Sequence, residues 1–287
     1  MIYNDLTAQQ VKAFLAQPAH ALIVNAPVGF GKRSLMHQLA ASLLDIEPGG
    51  VVQHPAITII QPVKNSIGIE VIRDLRSFSK LRSANQKEGI HRIILIEDAQ
   101  GLTREAQNAF LKLLEEPPAD LVIIMTVSSL GLLLPTIISR AQLIHLKPVP
   151  KSQVLGYFSE QGFAVKDTER AYHLSDGRLG LMHAILQESN DHPLLTQVQL
   201  AKEVLTAPAF ERLQKIDELS KDKANLSSFL QGLHRVVQAA LAGAIDKNDA
   251  RNIERWKLRL QQVHKALDGL VVNANTKLLL TDLLLNL

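Results

Sequence analysis

The sequence predicts an α/β fold built on a parallel sheet in its first half, followed by an all-α second half. Three observations predict it. Short, uniformly apolar runs alternate with amphipathic stretches as far as the KPVP break at 147–150, which is the rhythm of parallel βαβ units. From 151 onward only helical periodicity remains. Aromatic residues make up 4% of the chain while leucine is abundant, a composition that favours helices over an all-β sandwich.

The elements follow in order. The stretch TAQQ at 7–10 has capping-box spacing and predicts the start of a first helix at Thr7. Strands are predicted at 21–26, 57–61, 92–96, 121–127 and 142–146, with helices near 32–45, 66–82 and 103–115. Strands this apolar are expected to be buried on both faces. Thr103 is the expected N-cap of the third of these helices. Its apolar stripe is Ala106, Ala109, Phe110, Leu113 and Leu114, and Pro117 and Pro118 end it. Past 150, punctuation at Gly162, at Asp176 and Gly177, and in NDHP at 190–193 predicts three small helices and then four or five longer ones. The expected division is therefore 1–148, 149–190 and 191–287.

Composition narrows the chemistry. The 287 residues contain no cysteine, which excludes disulfides, thiolate zinc sites and cysteine nucleophiles and predicts a cytoplasmic location. The first ten residues, MIYNDLTAQQ, carry no signal pattern, and no apolar run reaches the ~18 residues of a membrane span. A net charge of +3 permits contact with nucleic acid without demanding it.

Residues 26–34, APVGFGKRS, lie between a predicted strand and a predicted helix, where a phosphate-binding loop belongs. Gly31 and Lys32 fit the pattern G-x-x-x-x-G-K-[ST]; Ala26 stands at its first Gly, and Arg33 at its magnesium-binding Ser or Thr. Gly29 and Gly31 give the backbone freedom to turn amides toward a phosphate at a helix N-terminus. The alternative is a plain glycine turn with a solvated lysine. RIILIED at 92–98 is a strand ending in two acids, Glu97 and Asp98. It has the shape of a Walker B strand with the order of the acids exchanged, or else is an acidic strand end that caps the next turn. Ser139 and Arg140 close LLPTIISR at 133–140, and an arginine there is either a surface charge or a group that stabilises phosphoryl-transfer charge in a neighbouring site. Arg73, Arg76 and Lys80 share a helical face, with Lys64, Asn65 and Ser66 at its start. This is a phosphate-tracking face or a solvated one interleaved with Glu70 and Asp74.

Taken together, HA at 20–21, GxGK at 29–32, the acidic strand end, NAFLKLLEEPP at 108–118 and LLPTIISR at 133–140 resemble the AAA+ clamp-loader ATPase subunits of bacterial DNA polymerase III. SDGRLGLMHAI at 175–185 and the tail NANTKLLLTDLLLNL are similar to the delta-prime branch of that family, with the gamma/tau motors second. The resemblance implies a RecA-like AAA+ domain, a small helical lid and a helical collar that assembles subunits. It implies gamma/tau-like and delta-like partners, an indirect relation to the sliding clamp, and primed DNA as the substrate of the assembly. It places ATP or ADP at Ala26, Pro27, Gly29, Phe30, Gly31, Lys32, Arg33 and Ser34, with His20 and Thr126 nearby. Glu97 and Asp98 fall on the Walker B acids, and Arg140 on an arginine finger completing the adjacent subunit's ATP site. Ser66, Arg73, Arg76 and Lys80 fall on the DNA-facing helix. Arg33 and the exchanged acids depart from the family's pattern and speak against magnesium coordination and turnover by this chain itself, and the family's zinc-binding cysteines are absent, so no zinc is expected. Gly180 also stands where the motors carry a sensor-2 arginine, with Arg178 two residues earlier. The competing readings are a gamma/tau-like motor and an unrelated P-loop ATPase.

Overall fold

A computed structural model of the chain describes residues 2–80, 90–187, 193–271 and 274–287, leaving aside the side chains of 76–80, 193, 224 and 271. The described residues form two compact units, Tyr3–Pro148 and Val149–Leu287. The boundary expected at 190/191 lies outside the described residues.

In the first unit the elements are α1 (Asp5–Ala16), β1 (Ala21–Asn25), α2 (Lys32–Leu44), β2 (Ile57–Ile60), α3 (Ile69–Lys80), β3 (Arg92–Ile96), α4 (Arg104–Glu115), β4 (Leu121–Val127), α5 (Pro135–Ile138) and β5 (Gln142–His145). The five strands make one parallel sheet in the order β2-β3-β4-β1-β5. Alternation along each strand explains the uniform hydrophobicity. Ile23, Ile94, Ile96, Ile123 and Met125 point into one core with Ile72, Phe110 and Ile137. Leu22, Val24, Ile93, Leu95 and Ile124 point into the other with Phe14, Leu35 and Leu39. Both faces are covered, as βαβ crossovers require. All five predicted strands are present within a residue at their ends.

The first helix differs from its prediction. It starts at Asp5, capped by the Asn4 side chain, which accepts from the Leu6 amide at 3.1 Å. Thr7 is instead buried, and its hydroxyl donates to the His145 carbonyl at 3.2 Å. A threonine inside the first turn serves β5 better than it could serve a cap. Thr103 does cap α4, accepting from the Ala106 amide at 3.2 Å. At the sheet's other end Arg92 and Asp120 join the starts of β3 and β4 through contacts of 2.8 and 2.6 Å. The hydrogen bond from Arg92, outweighing partial burial, holds the Asp120 carboxyl below its ordinary range.

The second unit holds α6 (Lys151–Glu160), α7 (Val165–Ser175), α8 (Leu179–Leu186), α9 (Pro193–Thr206), α10 (Ala209–Gln214), α11 (Ile216–Leu219), α12 (Lys223–Asp246), α13 (Ala250–Val271) and α14 (Thr276–Asn286). A small core of Val154, Phe158, Ala171 and Met182 joins the first three helices. A larger one, including Val198, Phe229, Leu233, Val263 and Leu284, joins the longer ones. No described helix is long and apolar enough to cross a membrane.

Candidate phosphate loop and arginine segment

Strand order decides what meets at the C-terminal edge of the sheet, where open α/β folds place ligands. β3, β4 and β1 are neighbours, so the loop after β1, the acids after β3 and the Thr126–Ser128 end of β4 converge there. Ala26 continues the sheet by donating its amide to the Val127 carbonyl at 3.2 Å. Gly29 and Gly31 then take φ of +92° and +85°, which side-chain-bearing residues rarely adopt. Gly31 caps α2 without a side-chain bond. Lys32 turns inward and is 8% exposed. Its ammonium donates to the Ala26 carbonyl at 2.7 Å, the Pro27 carbonyl at 3.2 Å and the Ser128 hydroxyl at 3.1 Å.

One residue further along α2, a rotation of about 100° aims Arg33 elsewhere. Its Nε lies 2.8 Å from Glu97 Oε1, and His37 Nε2 lies 3.6 Å from the same oxygen. Burial pushes the Glu97 carboxyl up, but the nearby polar groups of His37 and Gln61 and the Arg33 charge outweigh it, so its pKa is lowered. Asp98 turns away: it has φ +46°, is exposed, and accepts from Gln100 Nε2 at 2.9 Å. Its amide donates to the Thr126 hydroxyl at 2.9 Å, and the Gln100 side-chain oxygen Oε1 accepts from the Ser128 amide at 3.1 Å.

Magnesium demands near-octahedral oxygen ligands, usually a P-loop hydroxyl and a strand-end carboxylate. Here Arg33 puts a cation and N–H donors against the one carboxylate that faces the loop. Among the described residues no group of three metal-binding side chains occurs. The site does not fit the metal.

The remaining expected residues divide. Thr126 reaches the site, Ser34 is exposed on α2, and Phe30 packs against the α1/α2 core. His20 is not brought to the loop: it precedes β1, whereas the loop follows it, about 20 Å away at strand rise. Arg178 stands at the N-cap of α8 beside Asp176 and Arg235. Burial, with the Arg178 charge, lowers the Arg235 guanidinium to about 10.

Arg140 sits in the turn between α5 and β5. Its side chain is 37% exposed, with Nη2 3.0 Å from Glu115 Oε1 and Nη1 donating to the Thr136 carbonyl at 3.1 Å. The segment is mounted by Gln107, a residue the sequence reading passed over. Its buried amide donates to the Leu102 and Leu132 carbonyls, both at 3.1 Å, and accepts from the Leu134 amide at 2.8 Å.

On α3, Arg73 pairs with Glu70 at 2.7 Å. Ser66 is exposed and closes a tight turn with Val63, in which Lys64 and Asn65 both take positive φ. The side chains of Arg76 and Lys80 lie outside the described residues.

A family model described as "DNA polymerase III, delta subunit" matches residues 6–150. The protein "DNA polymerase III subunit delta'" of Escherichia coli (strain K12) is 29% identical over 188 residues, covering 60% of this chain and 55% of that one. Its namesake from Pseudomonas aeruginosa is 33% identical over 141 residues, covering 44% and 42%. The matched stretch thus spans about half the length of these relatives. The crystal structure of a "DNA polymerase III, gamma subunit-related protein" from Thermotoga maritima aligns with a TM-score of 0.52 at 18% identity, covering 98% of both chains. At that identity the likeness shows the fold alone, which in this chain is a parallel five-stranded sheet followed by helices, as the sequence predicts.

Proposed function

Because this chain belongs to the DNA polymerase III, delta subunit family, we propose that it is a delta-prime-like subunit of a bacterial clamp loader, one that contributes Arg140 in trans to a neighbour's ATP site. The single observation that supports this most is an asymmetry. At the chain's own loop Lys32 is turned in on Ala26, Pro27 and Ser128 and Arg33 is paired with the buried Glu97, while Arg140 stands partly exposed in a turn held by the hydrogen bonds of Gln107. A guanidinium presented this way can stabilise the charge of phosphoryl transfer on another chain.

In this reading the partners are gamma/tau-like motors and a delta-like subunit. Residues 149–190 act as a lid and 191–287 as a collar, and the sliding clamp is met through the assembly. ATP or ADP belongs to the neighbours' sites, not to turnover here. The face of α3 carrying Arg73, Arg76 and Lys80, with Ser66 ahead of it, approaches the backbone of primed DNA, and Arg73 exchanges Glu70 for a phosphate.

The test is Arg140→Ala in a complex reconstituted with gamma/tau-like and delta-like subunits. Removal of an arginine finger is expected to lower the ATPase rate of the site it serves by ~10³-fold. Assembly, followed by gel filtration, should be unchanged. Full ATPase activity in the assembled variant complex would refute the trans assignment.

A further inference from the structure

We propose that the Arg33 guanidinium is a built-in cation standing where a phosphate loop of ordinary composition recruits magnesium, so that this loop is closed to magnesium-bound nucleotide. The inference deepens the reading of residues 26–34 as a P-loop and is independent of any role for Arg140.

Two departures from the ordinary pattern meet in space. At the loop, the hydroxyl that would bind the metal is replaced by Arg33. At the strand end, the acid that faces the loop is Glu97, one methylene longer than aspartate. The residues are 64 positions apart in sequence, yet Nε and Oε1 lie 2.8 Å apart. The two departures put opposite charges in the site, and they pair with each other. Together they close it.

The geometry around the pair fits a permanent ion better than an exchangeable one. Three groups converge on the Glu97 carboxylate: Arg33, His37 one helical turn further along α2, and Gln61 from beyond β2. Glu97 is 8% exposed, and its backbone is fixed to β2 by the bond from its amide to the Ile60 carbonyl at 2.8 Å. Arg33 is a cation that is covalently tethered and so never dissociates. Lys32, which a P-loop extends to the outer phosphates, is turned in on Ala26, Pro27 and Ser128.

If Arg33 excludes the metal, shortening it to the residue the pattern expects should admit one. The experiment follows a fluorescent ATP analogue on the full chain by anisotropy, in magnesium and in EDTA. It compares wild type, Arg33→Thr and Arg33→Thr/Glu97→Gln, with melting temperature as a second readout in the same buffers. Wild type should show the same anisotropy curve and the same Tm in magnesium and in EDTA. In Arg33→Thr, magnesium should tighten the analogue by ~10-fold or more, the order that metal-supporting groups are worth, and raise Tm. The double variant should lose both effects. Wild-type binding that EDTA abolishes would overturn the proposal, as would a folded Arg33→Thr chain with no response to magnesium. Should Arg33→Thr not fold, Arg33→Ser and the wild-type comparison carry the same decision. Neither readout involves a partner chain or Arg140.

Discussion

The loop at 26–34 and the segment at 133–140 stand on the same sheet and spend their cations in opposite ways. In the loop, Lys32 is committed inward, to backbone carbonyls and a hydroxyl, and Arg33, itself largely exposed, is tied to the buried Glu97. In the segment, Arg140 rests on one exposed carboxylate and one carbonyl at the surface. A pair with one buried partner costs more to open than a pair between two exposed groups. The difference teaches that a cation's availability is set by what holds its partner. Glu97 is held by the sheet, and Glu115 stands on the last turn of a helix that two prolines stop.

The largest effect should come from breaking the mount of the open side. Gln107 makes three hydrogen bonds to backbone groups of the turns on either side of it. Gln107→Ala strands two carbonyls and an amide in a buried setting, and should cost about 3 kcal/mol. Urea unfolding measures it. The variant should also weaken whatever Arg140 does in an assembly, since Leu132 and Leu134 set where α5 begins. A loss below about 1 kcal/mol would mean that the segment is positioned by packing alone.

The closed side is tested by acid. Glu97 has a folded-state pKa below its unfolded one, because His37, Gln61 and Arg33 outweigh its burial. A depressed carboxylate adds stability that is fully present above the unfolded pKa, about 4.3, and is lost as pH falls through the folded value. Stability should therefore decline below about pH 4.3 by a component that Glu97→Gln removes. At neutral pH that substitution should itself cost about 1–2 kcal/mol, discounted because Arg33 is largely solvent-exposed. Asp120, depressed by Arg92, declines in the same direction, so only the difference between wild type and variant is diagnostic. Parallel pH profiles for the two would remove Glu97 from the account.

Why one side was legible in sequence and the other was not follows from particular residues. The sheet was readable because parallel strands buried on both faces are nearly all apolar, and ITII, RIILI and LVIIMTV are short, rich in β-branched residues and spaced by helical patterns. Arg33 and Glu97 were readable only as two failures of a pattern. Nothing in one dimension shows that they face each other; the available signal was that both departures occur together and have opposite charge. Gln107 carried no signal, since a glutamine within an amphipathic helix usually faces water. Thr7 was misread because its capping-box spacing was real while Asn4, three residues earlier, won the cap. His20 was assigned by its place in a motif that runs along a strand, and a strand separates its ends.

The smallest effect should come from the Glu115 side. An exposed Arg–carboxylate pair is worth about 0–1 kcal/mol, so Glu115→Gln should leave urea unfolding within about 0.5 kcal/mol of wild type. The same figure bounds what Arg140 gives up when it leaves Glu115 for a phosphate. One kcal/mol is a factor of about 5 in an equilibrium. In the reconstituted complex, Glu115→Gln should therefore raise the activity that depends on Arg140 by no more than ~5-fold, with no change in stability or assembly. A fall in activity instead would mean that Glu115 aims the arginine as well as holding it. The contrast with Glu97 would then be one of burial alone, since both carboxylates would be part of how a cation is pointed.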